Sequence, residues 1–123
     1  MPFYEELEVE FPDSGPVARN PFDEAFCALL EEVRPKVASF HFGLPPDDLL
    51  QRVRQTGARI LSSATTVAEA RYLEARGVDA IIAQGAEAGG HRGMFLADDP
   101  SAQIGTFALV PQIADAVSVP VML

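Results

Sequence analysis

The residues best suited to chemistry lie in one run, "QGAEAGGHRG", between Gln84 and Gly93. It contains four glycines and His91, one of only two histidines in the 123 residues. Glycine at this density indicates positive φ angles or close approach of the backbone to a ligand. Backbone N–H groups, the Gln84 amide and an imidazole suit the edge of a flat heterocycle with a base beside it. Because histidine titrates near neutral pH, His91 is a candidate general base.

A simpler interpretation of the same run is a glycine-rich turn in which His91 is a solvated loop residue. The glycines match neither the GxGxxG pattern nor the P-loop pattern for phosphates. A zinc site is disfavoured, because the two histidines lie far apart and nothing fixes a ligand spacing around them. The chain also has no G-x-S-x-G motif, which disfavours a serine hydrolase. We therefore expect neither a metal nor a serine nucleophile.

Polar side chains also follow the two preceding predicted strands, at the point where each strand ends. Since ligands of parallel α/β proteins bind where strands end and loops begin, this clustering predicts one shared pocket. We expect His41 and Ser63 to line it, although a histidine in an apolar strand is more often a satisfied core residue. Alternation predicts that His41 and Phe42 face opposite sides. The polar set after the second strand comprises Ser62, Ser63, Thr65 and Thr66.

Composition disfavours several classes of partner. The net charge of −9 argues against nucleic acid, since the protein could not neutralise a row of phosphates. The longest apolar runs are far too short to span a membrane. The N-terminus has no basic region followed by an apolar stretch, so we expect no secretory signal and a cytoplasmic protein. Cys27 is the single cysteine, which excludes an internal disulfide, and we expect it in the core.

Strands and helices alternate at a regular interval along most of the chain. Val37, Ile60 and Ile81 mark equivalent positions of three apolar strands, and Gly57 and Gly77 close the helices between them. The segment "VPVML" begins a fourth strand, after a helix "VPQIADAV" that has a proline near its start. This alternation is typical of parallel βαβ units. A short strand is also predicted over residues 7–11. The predicted helix N-caps are Asn20, then Asp47 or Asp48, then Thr66 in a capping box with Glu69.

Two α/β architectures fit these repeats, an open doubly wound sheet and a (β/α)8 barrel. Short repeats are more usual in barrels, but a complete barrel needs about 200 residues or more. We therefore predict an incomplete TIM barrel over residues 37–123. Residues 1–36 are predicted to form an acidic N-terminal segment with a helix that leads into it.

Three segments make the chain similar to a known family: "SFHFGLP", "ILSSATTVAEAR" and above all "AQGAEAGGHRG" followed by "LVPQIADAV". From about Val37 to Leu123 they resemble the nitronate monooxygenases, formerly called 2-nitropropane dioxygenases. The resemblance implies an FMN-dependent (β/α)8 barrel, of which this chain would contain about strands four to seven. It also implies oxidation of alkyl nitronates by O2 to a carbonyl compound and nitrite.

The resemblance also implies roles for residues of the glycine-rich run. His91 corresponds to the catalytic base that takes the α-proton of a neutral nitroalkane. The expected FMN-binding residues are Gln84, Gly85, Gly89 and Gly90. Two alternatives stay open, a catalytically inactive barrel fragment and a related flavin barrel of the enoyl reductase type. An incomplete barrel exposes apolar edges, so we also expect self-association.

Overall fold

The computed structural model describes residues 21–123, so the strand predicted over residues 7–11 lies outside the described residues. Four strands form one sheet in this part of the chain, in the order β1-β2-β3-β4, and every pair is parallel. Their order in the sheet follows the chain without the reversal that a doubly wound sheet has. The predicted α/β fold with an incomplete barrel is therefore confirmed. The strands are Val37–Phe40, Arg59–Ala64, Ala80–Ala83 and Val121–Met122.

Among residues 21–123, four α-helices connect or flank these strands: α1 (Glu24–Val33), α2 (Asp47–Gln55), α3 (Val67–Ala75) and α4 (Thr106–Ala116). A short 3-10 turn, Pro100–Ala102, interrupts the long loop between β3 and α4. Gly57 and Gly77 follow α2 and α3 with positive φ angles, as the sequence predicts. None of the helices in the described part of the chain is long and apolar enough to cross a membrane.

Two of the three predicted N-caps are wrong. The first helix begins at Glu24, and its N-cap is Asp23, whose carboxylate accepts a hydrogen bond from the Phe26 N–H at 3.0 Å. Asn20 therefore lies too far upstream to cap it. The second helix has Pro46 as its N-cap with no side-chain bond, and Asp47 and Asp48 lie in its first turn. There their charges still interact favourably with the helix dipole.

The third predicted N-cap, Thr66, is confirmed, whereas the start of the last helix differs from the prediction. Thr66 caps α3 by accepting from the Glu69 N–H at 3.1 Å, but no bond from Glu69 back to the Thr66 N–H forms. The capping box is therefore half formed. Helix α4 begins at Thr106, a full turn before the predicted segment, and Pro111 lies inside it. An interior proline removes one helical hydrogen bond, and its exposed position places that gap on the solvent side.

The two faces of the sheet have different surroundings. Ala38, Ile60 and Ile81 are buried on the face that packs against the helices, with α3 on β2 and β3, and α4 on β3 and β4. Alternation along each strand places Val37, Leu61 and Ile82 on the opposite face, outside this core. Val37 is 50% exposed there. The core also contains Cys27, as predicted, with Leu49, Leu50, Val53, Ala64, Leu73, Ala83, Leu109 and Ile113.

Candidate active site

The carboxyl ends of β1, β2 and β3 bring the predicted site residues together. His41 follows β1 and lies beside Ser63 of β2, with 3.0 Å between Nδ1 and the hydroxyl oxygen. Its other ring nitrogen, Nε2, lies 3.3 Å from the backbone carbonyl oxygen of His91, in the loop after β3. Residues that are 22 and 50 positions apart in the chain therefore share one edge of the sheet.

These two contacts assign the tautomer of a neutral His41. A carbonyl oxygen only accepts hydrogen bonds, so Nε2 must hold the hydrogen that is donated to His91. Nδ1 is then an acceptor, and the Ser63 hydroxyl donates to it. His41 is exposed, while Ser63 is buried. The interpretation of His41 as a core histidine is therefore wrong, and its role in a substrate pocket stays a prediction.

Phe42 lies on the same side as the histidines, against the prediction from alternation. Strand β1 ends at Phe40, and Phe42 adopts a φ of 66°, which breaks the two-residue period of a strand. Its ring meets the His41 ring edge to face, with centroids 4.5 Å apart, and lies 6.2 Å from the His91 ring. An apolar ring thus lies beside the exposed imidazole of His91.

The Gln84 side chain holds the backbone of the histidine loop on both sides of Arg92. Its Nε2 donates to the carbonyl oxygen of His91 at 3.0 Å, and its Oε1 accepts from the N–H of Gly93 at 2.6 Å. The His91 carbonyl therefore receives bonds from both Gln84 and His41. A Cβ at Gly93 would lie 2.5 Å from the His41 ring, so any larger residue at this position would displace that ring. The loop backbone is fixed in this way while the His91 ring stays exposed.

Arg92 is a site residue that sequence reasoning missed. Its guanidinium donates to the carbonyl oxygens of Gln84 at 2.7 Å and Gly85 at 2.8 Å, which directly follow β3. The side chains of these two adjacent residues thus differ in exposure to solvent: Arg92 is half-buried, whereas His91 is exposed. The position of Arg92 directly after His91 could have marked it as a candidate in the sequence. Its acceptors are backbone carbonyl oxygens, however, and these can be identified only in the folded chain.

The glycines of the run fall into two groups. A Cβ at Gly89 or Gly90 would meet nothing within 4 Å, and Gly90 has a φ of 77°. No acceptor among residues 21–123 bonds to the N–H groups of these two glycines. A Cβ at Gly85, in contrast, would lie 2.6 Å from the backbone of Thr106. Gly85 therefore allows close packing on the start of α4, whereas the N–H groups of Gly89 and Gly90 lie on an open surface without a partner among the described residues.

Two carboxylates fix the loops around this edge. Glu87 accepts from the N–H of Thr106 at 2.8 Å and from its hydroxyl at 2.7 Å, which caps α4. These bonds hold the pKa of Glu87 below its usual value. Glu69 is fully buried and accepts four hydrogen bonds, two from Thr65 and one each from the N–H groups of Phe95 and Leu96. Sequence reasoning gave Glu69 only a capping role and missed this contact with the histidine loop.

The arrangement suits acid–base chemistry on a small, flat ligand. No group of three potential metal-ligating side chains lies close together in the described residues. The fold and the site define an α/β protein of the TIM-barrel class, with a histidine, an amide and glycine N–H groups at the carboxyl ends of its strands.

Comparison with known proteins identifies the family. The family model described as nitronate monooxygenase matches residues 7–123, and the chain belongs to this family of oxidoreductase enzymes. A nitronate monooxygenase of Paraburkholderia phytofirmans is 48% identical over 100 residues, which are 81% of this chain and 27% of that protein. The chain therefore spans about a quarter of the length of this relative.

Solved structures give the same result for the fold. A nitroalkane oxidase from Streptomyces ansochromogenes superposes with a TM-score of 0.79 at 42% identity, over 96% of this chain and 34% of that one. FabK from Thermotoga maritima superposes with a TM-score of 0.66 at 27% identity, over 85% of this chain and 30% of that one. The predicted family and partial-barrel fold are confirmed. The assignment to strands four to seven stays a prediction.

Proposed function

We propose that this chain takes part in the FMN-dependent oxidation of nitroalkanes and alkyl nitronates by O2, which yields a carbonyl compound and nitrite. His91 is the general base that takes the α-proton of a neutral nitroalkane. The observation that supports this most is the fixation of its backbone by Gln84 and His41, while its ring stays exposed beside Phe42. A base held in this way needs little reorganisation before proton transfer.

The residues present fit part of an FMN site. The N–H groups of Gly89 and Gly90 have no acceptor among the described residues, and nothing lies where their side chains would be. They would bond to acceptor atoms of the cofactor, with Gln84 and Gly85 beside them. Bound FMN would supply the redox chemistry that the side chains of the chain lack. Gly85 additionally serves the packing on Thr106 described above.

His41 and Ser63 form the proposed wall of the substrate pocket. Since the neutral His41 ring uses both nitrogens, its contribution is a fixed polar surface, and proton removal falls to His91. Phe42 provides an apolar surface for the alkyl part of the substrate, because its ring is 52% exposed beside both histidines. The family assignment favours this function over the enoyl reductase type considered from the sequence.

Two measurements test this function. The purified chain should bind added FMN, with the visible absorbance of a bound flavin. His91→Asn should then lower kcat/KM for a neutral nitroalkane by at least about 100-fold, while a preformed nitronate, which needs no base, loses little. His41→Asn is the matched histidine variant: it removes one bond to the backbone of His91 but keeps the base, so the neutral nitroalkane should lose less activity than in His91→Asn. Equal losses on both substrates in His91→Asn would refute the general-base role, and failure to bind FMN would favour an inactive fragment.

The outer strands of the sheet support the further proposal that the chain self-associates. Strands β1 and β4 each pair on one side only in the described part of the chain. Several large apolar side chains nearby are exposed, Phe26 at 54% and Leu123 at 80% among them. Sedimentation should show a dimer or a larger species, and a monomer at all concentrations would contradict this proposal.

A further inference from the structure

Glu69 has an environment that a helix cap does not explain. Glu69 lies in the first turn of α3 with its side chain fully buried, and no basic side chain of residues 21–123 forms an ion pair with it. A buried carboxylate without a cation is costly unless hydrogen bonds stabilise its charge. Thr66 already caps α3, so the helix does not require Glu69 for that purpose.

The two carboxylate oxygens bond to different segments of the chain. Oε2 accepts from the N–H and the hydroxyl of Thr65, both at 2.7 Å, directly after β2. Oε1 accepts from the N–H of Phe95 at 2.7 Å and of Leu96 at 3.1 Å, which lie in the loop that also contains His91. Burial by itself raises the pKa of Glu69, but these bonds outweigh burial and leave the pKa below its usual value. The group is therefore a charged bridge between two loops.

The same bridge extends to the end of β1 through the ring of Phe95. A Cβ at Gly43 would lie 3.2 Å from this ring, so the ring packs closely against the backbone after His41. The carbonyl oxygen of Gly43 also accepts a bond from the buried hydroxyl of Ser62 at 3.0 Å. Glu69 thus lies where the loops that follow β1, β2 and β3 meet, which are the loops beside His41, Ser63 and His91.

We propose that Glu69 is a positioning residue, whose carboxylate holds the loop of His91 in the geometry required for proton transfer. This inference rests on the proposed function of His91. The carboxylate suits the place because all four partners are donors and it offers only acceptors. A glutamine there would lose the charge that strengthens all four bonds, and its NH2 group would face either the Thr65 N–H or the N–H groups of Phe95 and Leu96, which would then lack an acceptor.

Glu69→Gln tests this role, with Asp79→Asn as the matched control. Asp79 also accepts a backbone bond, from the Ile60 N–H at 2.8 Å, but at the opposite end of the same strands. Amide hydrogen exchange in the full chain should become at least about tenfold faster at Phe95 and Leu96 in Glu69→Gln, which corresponds to about 1.4 kcal/mol. Asp79→Asn should leave exchange at these two amides near the rate of the unmodified chain.

Activity of the FMN-loaded chain separates positioning from a purely structural role. In Glu69→Gln, kcat/KM for a neutral nitroalkane should fall at least about tenfold, while the value for a preformed nitronate changes less than about threefold. A purely structural role would lower both values together, because it would reduce the amount of folded enzyme. Equal losses on both substrates, or unchanged exchange at Phe95 and Leu96, would overturn the proposal.

A milder variant covers the case in which Glu69→Gln does not fold. Thr65→Val removes only the hydroxyl donor to Oε2 and keeps the shape of the side chain. It should accelerate exchange at Phe95 and Leu96 about threefold and shift activity in the same direction, and no change in either would count against the proposal. If the unmodified chain binds FMN but oxidises no nitroalkane, the proposed function fails. Exchange at the two amides then decides by itself whether Glu69 holds the loop.

Discussion

The two ends of the sheet use their polar side chains differently. At the carboxyl ends, Glu69, Gln84 and Arg92 bond mainly to backbone groups of the loops that follow the strands. At the amino ends, Arg59 pairs with Asp79 while its own side chain is 75% exposed. Exposed ion pairs contribute little, whereas bonds to buried backbone groups fix the course of a loop. One end of this sheet therefore positions the loops of the candidate site, and the other end maintains the fold.

The largest expected effect comes from Gly85 at the carboxyl end. Gly85→Ala should destabilise the protein by about 3 kcal/mol, because the new Cβ would lie 2.6 Å from backbone atoms of Thr106 that cannot easily move. Gly89→Ala is the control, since its Cβ would meet nothing within 4 Å. Chemical denaturation should therefore separate the two variants. Similar stabilities would show that the packing of Gly85 on α4 is not required.

The same pair of variants sharpens the assignment of the FMN site. Gly89→Ala should fold normally but bind FMN more weakly, because its methyl group would occupy the open surface that the cofactor needs. Flavin fluorescence titration measures this directly. Unchanged FMN affinity in Gly89→Ala would remove Gly89 from the proposed binding set.

Gln84→Met should have the next largest effect. It keeps the length of the side chain but loses both bonds to the histidine loop, which are worth about 2 kcal/mol together. Exchange of the Gly93 amide should accelerate, because that N–H loses its acceptor. If exchange at Gly93 stayed slow, the loop would be held by Arg92 and Glu69 without Gln84.

A smaller effect, dependent on pH, is expected from Glu87. Its hydrogen bonds to Thr106 lower its pKa in the folded state, so its contribution is present above its unfolded pKa of about 4.3. This contribution is lost as the pH falls through the lower, folded pKa. Unfolding temperatures of Glu87→Gln and the unmodified chain should therefore differ at pH 7, and the difference should shrink as the pH falls below the unfolded pKa. A difference that stays constant throughout acid titration would contradict this prediction.

The smallest effect is expected from Arg59 at the amino end. Arg59→Ala should cost less than about 1 kcal/mol, because the guanidinium is largely exposed and Asp79 keeps its bond to the Ile60 N–H. Added salt should reduce even this difference, as for other exposed ion pairs. A loss comparable to that of Gln84→Met would remove the contrast between the two ends of the sheet.

Much of the fold could be predicted from local patterns. The strands around Val37, Ile60 and Ile81 and the helix ends at Gly57 and Gly77 depend on residues near them in the chain. The residues that begin each helix are harder to predict, because any of several nearby polar residues could accept hydrogen bonds from the first free N–H groups. Helix α4 shows this most clearly, since its start is capped by Glu87 from another part of the chain.

The sequence by itself determined the parallel βα order, the glycine-rich run with its exposed histidine, and the family resemblance that the comparisons confirmed. Tertiary structure decided which groups hold that run. Phe95 and Leu96 lie 26 and 27 residues from Glu69, and His41 lies 50 residues from His91. Such partners meet only because the carboxyl ends of parallel strands lie at one edge of the sheet. Hydrogen bonds between distant segments leave no periodicity in the sequence, so the carboxylate of Glu69 resembled a helix cap until the fold placed it beside the loop of His91.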